Sequence, residues 1–258
     1  MSRYTTSYSI GYPRWTRAVK ILIIACSVTY LVQILVGPLF TAKFGLTPWD
    51  VTNKGYIWQL ATYIFLHDTG SIFHILFNML GLWMFGSELE QVWGTRQFTR
   101  FFFVCGIGAA ILMVLLFLIS GGGDSRVTTI GASGAIYGIL LAFGMLFPDR
   151  IIYLLIFPIP AKYLVMILGG IAFFSSLSAS SGGIAHVAHL GGMICGYVYI
   201  KSRGLTRNRS QRKLSVGLRD LYSQWKRKRL RRKFDVYYNK RHGNGDASDS
   251  EKWRRWKN

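Results

Sequence analysis

The stretch IGASGAIYGILLAFGMLF, residues 130–147, has no charged side chain in 18 positions and opens on a cluster of small residues, Gly131 to Gly134. A helix that crosses about 30 Å of hydrocarbon needs about 20 mostly apolar residues. Residues 130–147 meet that requirement, and so do five further runs, roughly 19–40, 71–88, 98–119, 161–179 and 184–201. The expected fold is therefore an all-α integral membrane protein with six transmembrane helices. An even number of crossings leaves both termini on one side. Arg3, Arg14, Arg17, Lys20, Arg96, Arg100, Arg150 and Lys162 fall on that side, while Lys43, Lys54 and Arg126 fall on the other. The positive-inside rule then makes both termini cytoplasmic.

Composition agrees with this reading and divides the chain. Of 258 residues 51% are hydrophobic, yet the net charge is +20. Residues 1–200 hold 11 Lys/Arg and 6 Asp/Glu, whereas residues 201–258 hold 20 and 5. So few charges cannot build the surface of a water-soluble two-domain protein. The expected organisation is a cytoplasmic segment 1–18, a membrane core 19–201 and a basic cytoplasmic tail 202–258, in a multi-pass protein of the cell membrane. The run 19–40 is long enough to span and no small-residue cleavage site follows it, so it is expected to stay as the first helix. Cys26, Cys105 and Cys195 all lie in apolar runs and read as packing residues rather than a disulfide or metal framework.

Two loops are less regular. Residues 41–70 are too polar to span and read as an external loop with aromatics, Phe44 to Phe65, suited to an interfacial belt. Residues 147–161 contain Pro148, Pro158 and Pro160. The apolar stretch Ile151 to Phe157 is expected to dip at the interface rather than cross; a crossing would reverse the parity of everything after it.

Polar groups inside apolar runs are costly and mark functional candidates. The candidates are His74 and Asn78 in the second run, Ser133 and Tyr137 in the fourth, and His186 and His189 in the sixth. These three runs enter from the external face. His74, Asn78, Ser133 and His189 each lie within about 10 Å of where their run begins. One layer thus holds a hydroxyl, two imidazoles and an amide, which is the set that acyl transfer requires. Serine needs a neighbouring base to become nucleophilic, and imidazole suits that task near neutral pH. His74 and Asn78, four residues apart on one helix face, are the candidate oxyanion donors. Ser133 opens its helix, where free backbone N–H groups add to that stabilisation. Gly131 and Gly134 remove side-chain bulk beside it. Gly134/Gly138 and Gly192/Gly196 are small-xxx-small pairs that allow the fourth and sixth helices to approach closely and bring Ser133 against His189, with Tyr137 placed to stack on the imidazole.

On these residues the chain resembles the rhomboid intramembrane serine proteases, over roughly Ile57 to Ile200. The motifs are HILFN (74–78), GASG (131–134) and AHLGGMICG (188–196). The segment GSELE (86–90) through GTR (94–96) is similar to the family's cytoplasmic turn between its second and third helices. The resemblance implies a six-helix bundle in which Ser133 is the nucleophile and His189 the base. It further implies an oxyanion hole of His74, Asn78 and the Ser133 amide, with Tyr137 supporting His189. Substrates would be membrane proteins, cut within or next to their spanning helices, with no cofactor and no metal. One departure is visible: members often carry Trp-Arg in the first external loop, and this chain has Trp58-Gln59.

Other readings compete. GASG alone is common in helix-packing faces. His186 is an alternative base, nearer the surface and without the glycine spacing that follows His189. The string Gly121 to Asp124 has the GxGD pattern of intramembrane aspartyl proteases, but no second carboxylate lies in any run, and no HExxH segment exists for a metalloprotease. A catalytically silent scaffold on the same fold and a transporter are the rivals from other classes. The first is opposed by the intact Ser133/His189 pair, the second by the absence of mid-span carboxylates, Arg or Lys. In the tail, Leu214, Leu218, Leu221 and Trp225 recur at helical spacing ahead of the basic run 226–233. This reads either as an amphipathic helix on anionic inner-leaflet lipid or as a solvated topology signal. No folded module supports specific nucleic-acid binding, and from about Gly243 the composition is that of a disordered segment.

Overall fold

The computed structural model describes residues 14–122, 126–154, 157–176 and 181–205. Residues 1–13, Asp124 and the basic tail from 206 onward lie outside the described residues, as do the expectations attached to them.

A helix occupies each of the six apolar runs. α1 covers Arg17–Val36 and stops short of residue 40 because Pro38 has no N–H to continue the ladder and instead opens α2, Pro38–Phe44. α3 (Pro48–Lys54), α4 (Gln59–Thr62) and a 3₁₀ turn at Tyr63–Phe65 make up most of the expected external loop. α5 (Ile72–Gly81) runs through a π turn at Leu82–Gly86 into α6 (Ser87–Trp93). α7 is Thr95–Ile119 and α8 is Ser133–Leu146. Then come β1 (Ile151–Leu154) and β2 (Phe157–Pro160), followed by α9 (Ala161–Ser176) and α10 (Ser181–Arg203).

Among the described residues, three helical stretches are long and apolar enough to cross a membrane: Arg17–Val36, Ile72–Trp93 (α5 through α6) and Thr95–Ile119. Their outer faces are apolar too. On α1, Ile21, Ile24, Val28, Leu31 and Leu35 are all exposed, an arrangement that suits hydrocarbon rather than water as the surrounding solvent. The chain is a mostly helical membrane protein.

The all-α expectation needs one correction. The segment after α8 is an antiparallel hairpin, with Ile151 opposite Pro160 and Ile152 opposite Ile159. Its β-branched residues favour extended backbone, and prolines at 158 and 160 block a helix while being tolerated in a strand with a free edge.

Buried polar contacts fix which helix ends meet. The Glu90 carboxylate accepts the backbone N–H groups of Ala18 (2.9 Å) and Val19 (3.1 Å) and the Thr95 hydroxyl (2.7 Å), so it caps the start of α1 from the end of α6. Arg150, just beyond α8, pairs with Glu88 at 2.8 Å. Gln97 near the start of α7 donates to the Tyr199 hydroxyl near the end of α10 at 3.0 Å. The start of α1 and the ends of α6, α8 and α10 therefore gather at one end of the bundle, and the starts of α5, α8 and α10 point to the other.

Gln59, the second residue of the Trp58-Gln59 pair that departs from Trp-Arg, is fully buried. Its Oε1 accepts the Thr47 N–H at 3.0 Å and its Nε2 reaches the Lys43 carbonyl at 3.3 Å. The Trp58 indole donates to the same carbonyl at 3.1 Å. A neutral amide thus closes the loop by pairing with backbone, with no need of a cation.

Candidate active site

The segment leading into α8 is held before the helix begins. Leu46 and Thr129 exchange two backbone hydrogen bonds of 2.9 and 2.8 Å, and the Thr47 and Thr128 hydroxyls meet at 2.8 Å. Gly131 then donates its N–H to the Tyr63 carbonyl at 3.0 Å, with φ at 122°. That backbone conformation is open only to glycine without strain. It is also the only way to keep the space clear, because a Cβ at residue 131 would lie 3.0 Å from His74 Nε2. Ser133 follows as the first residue of α8.

α10 brings His189 to it. Its Nε2 lies 2.8 Å from Ser133 Oγ, a hydrogen bond in which the serine hydroxyl donates when that nitrogen is unprotonated. The proton is then on Nδ1, which is buried with no partner among the described residues. In place of a carboxylate, the ring is held by Tyr137. The two rings are parallel within 3° with centroids 4.2 Å apart. His186 meets His189 edge-on at 5.5 Å between centroids and forms no hydrogen bond to Ser133 among the described residues.

The close contact of α8 and α10 rests on the absence of side chains. A Cβ on Gly192 would fall on the Gly134 carbonyl, and one on Gly138 would be 2.9 Å from the Gly192 oxygen. Gly134 is equally enclosed, with the Ala109 methyl 3.2 Å and the Ala188 carbonyl 3.3 Å from where its Cβ would lie.

His74 Nδ1 accepts the backbone N–H of Asp68 at 3.1 Å. That bond assigns the imidazole proton to Nε2, the nitrogen that faces Gly131 beside Ser133. Asn78 is buried one turn further on, and its amide donates to the His74 carbonyl at 2.7 Å. An amide has two N–H donors, so this bond uses one and leaves one without a partner among the described residues.

Sequence reasoning passed over His67 and Gln33. Each carries a readable signal, a polar side chain beside or within an apolar run, but their partners are distant in the chain. His67 is fully buried and meets His74 edge-on at 5.3 Å between ring centroids. Burial first, and the neighbouring His74 second, push its pKa down from 6.5 to about 4. An unfolded chain binds this proton near pH 6.5 and the folded protein only near pH 4, so stability conferred by the neutral ring is complete above pH 6.5 and declines as pH falls toward 4. The expected loss across that window is on the order of 2–3 kcal/mol. Denaturant unfolding at a series of pH values checks it: the slope between pH 6.5 and 4 should be shallower in His67→Gln than in the wild type.

The rhomboid domain family matches residues 54–203. The chain is 31% identical over 150 residues to the mitochondrial rhomboid protein 1 of Saccharomyces cerevisiae, covering 56% of this chain and 42% of that protein. It is 29% identical over 165 residues to the rhomboid protease GluP of Bacillus subtilis, covering 64% and 29%. To the rhomboid protease GlpG of Yersinia pestis it is 26% identical over 181 residues, covering 68% and 58%. The chain thus spans between 29% and 58% of the length of these relatives, less than two thirds of each.

Proposed function

The chain belongs to the rhomboid family, and on that premise we propose that it is an intramembrane serine endopeptidase of six membrane spans with both termini in the cytoplasm. The single observation that carries the reading is the 2.8 Å contact between Ser133 Oγ and His189 Nε2, a nucleophile and a base within proton-transfer distance.

The chemistry divides among the residues around that contact. Ser133 Oγ attacks the scissile carbonyl carbon as its proton passes to His189 Nε2, and the negative charge moves to the carbonyl oxygen. His74 Nε2–H, the free N–H of the Asn78 amide and the Ser133 backbone N–H receive that oxyanion. His189 then returns the proton to the leaving amine nitrogen as the C–N bond breaks. Water, deprotonated by the same imidazole, releases the acyl group. Tyr137 keeps the ring plane fixed through both steps, Gly131 leaves room for the substrate backbone beside His74 and Ser133, and Gly134 lets the neighbouring helices close on α8. A spanning helix hides its carbonyls in its own hydrogen bonds, so the substrate is a membrane protein that unwinds at the cut. The enzyme acts in the cell membrane.

The test is covalent labelling. A fluorophosphonate probe added to the folded full-length protein is expected to modify Ser133, as read by peptide mass. Prior denaturation and His189→Ala are each expected to abolish the modification. A silent scaffold on the same fold gives no labelling of Ser133 in any state, and that result would overturn the proposal.

A further inference from the structure

The first helix lies outside the residues matched by the family, 54–203, yet it sends one polar side chain toward the site. Gln33 is 2% exposed in the last turn of apolar α1. An amide buried there is costly unless both its ends are satisfied, and both are: Oε1 accepts the backbone N–H of His67 at 2.9 Å, and Nε2 donates to Thr41 Oγ1 at 2.9 Å. The very next peptide N–H, that of Asp68, is the one that donates to His74 Nδ1 at 3.1 Å. The Asp68 carboxylate accepts the Gly70 N–H at 2.9 Å. His67 itself donates from Nδ1 to the Phe65 carbonyl at 3.2 Å and lays its ring against His74.

Two consecutive peptide groups are therefore held, one by α1 and one by the imidazole at the site. Gln33 anchors the first and thereby aims the second. We propose that Gln33 is a positioning residue for His74: through the His67–Asp68 backbone it holds His74 as the Nε2–H tautomer, with that proton directed at the space beside Gly131 and Ser133. The inference rests on the reading of His74 as an oxyanion donor. An amide that merely tied α1 to the loop would affect stability and leave the His74 tautomer and the turnover of folded enzyme alone.

The test uses the full chain in lipid bicelles with a model single-span substrate, and ¹⁵N-histidine labelling with the His74 signals identified by their loss in His74→Ala. Wild type is expected to show an unprotonated Nδ1 and a protonated Nε2 at His74. Gln33→Met keeps the length of the side chain and removes the acceptor. It is expected to shift His74 toward a tautomer mixture and to lower kcat about tenfold with KM within about twofold, a fraction of what losing an oxyanion donor costs. Gln33→Glu restores an acceptor oxygen, the Thr41 hydroxyl rotating to suit it, and is expected to recover kcat to within about threefold of wild type. A wild-type His74 protonated at Nδ1 would overturn the proposal, and that measurement needs no variant to fold. Wild-type turnover and spectrum in Gln33→Met, or lost turnover with an unchanged His74 spectrum, would do so equally. Failure of the underlying protease reading looks different: the His74 spectra behave as expected while cleavage survives Ser133→Ala.

Discussion

Ser133→Ala and His189→Ala are each expected to lower kcat/KM for a model single-span substrate by about 10⁴-fold or more, and the double variant is expected to be no worse than either alone. Without Oγ there is no acyl-enzyme, and His189 has nothing to deprotonate. Without the imidazole, the serine hydroxyl remains protonated and the leaving amine receives no proton. Because the two groups act on one proton, their losses do not add. What remains in each variant is the contribution of the oxyanion donors, which neither substitution touches. The variants should fold normally, since removing one hydroxyl or one ring leaves the α8–α10 backbone contact in place. Cleavage rates measured with purified protein in lipid, alongside thermal unfolding, test this directly. Cleavage that persists in both variants would move the chemistry to other residues.

The parts of this arrangement that sequence makes legible are those with local causes. An apolar run in a membrane has few options but a helix, because its backbone groups must pair within the segment, and so a helix stands at each of the six runs. Ser133, His74, Asn78 and His189 are readable because they are polar residues in hydrocarbon-length stretches, and Gly134, Gly138, Gly192 and Gly196 because their spacing puts them on one helix face. The end of α1 at Val36 is legible from Pro38 alone, although the length of the apolar run masks it. Residues 41–70 and 151–160 are harder, since short helices, a 3₁₀ turn and a hairpin carry no long period. Hardest are contacts such as Glu90 with Ala18, or Gln33 with His67, separated by 72 and 34 residues. Each of these side chains is conspicuous by its chemistry, but its partner is a backbone group, and no residue type announces one. The Trp58-Gln59 departure shows the same limit: the amide that replaces a cation also pairs with backbone, so a change in sequence there leaves the loop closed.

Gly192→Ala is expected to damage both the fold and the chemistry, out of proportion to one added methyl group. The methyl would fall on the Gly134 carbonyl, which belongs to the backbone of α8 and cannot rotate away as a side chain would. Relief requires α8 and α10 to separate, and Gly138 and Gly196 are packed too closely to allow a tilt, with a Gly196 Cβ position 3.3 Å from the Gly138 Cα. Overpacking against flexible neighbours costs about 1–3 kcal/mol, and a backbone obstacle should place this variant at or above the top of that range. The same movement opens the dyad. His189 is one turn before Gly192, and Ser133 adjoins Gly134, so the contact of 2.8 Å lengthens with the helix separation. A misplacement of about 1 Å is worth about 10²-fold in rate, and kcat/KM is expected to fall at least that far in whatever fraction remains folded. Gly170→Ala in α9 is the matched comparison. A Cβ there meets nothing within 4 Å, and the substitution is expected to be neutral or to stabilise by up to about 1 kcal/mol through the stiffer helical backbone. Thermal unfolding and cleavage rates for the two variants together separate backbone contact from a general intolerance of alanine. Wild-type values in both would mean that α8 and α10 do not approach as closely as the glycines permit, and the short distance between Ser133 and His189 would lose the packing that holds it.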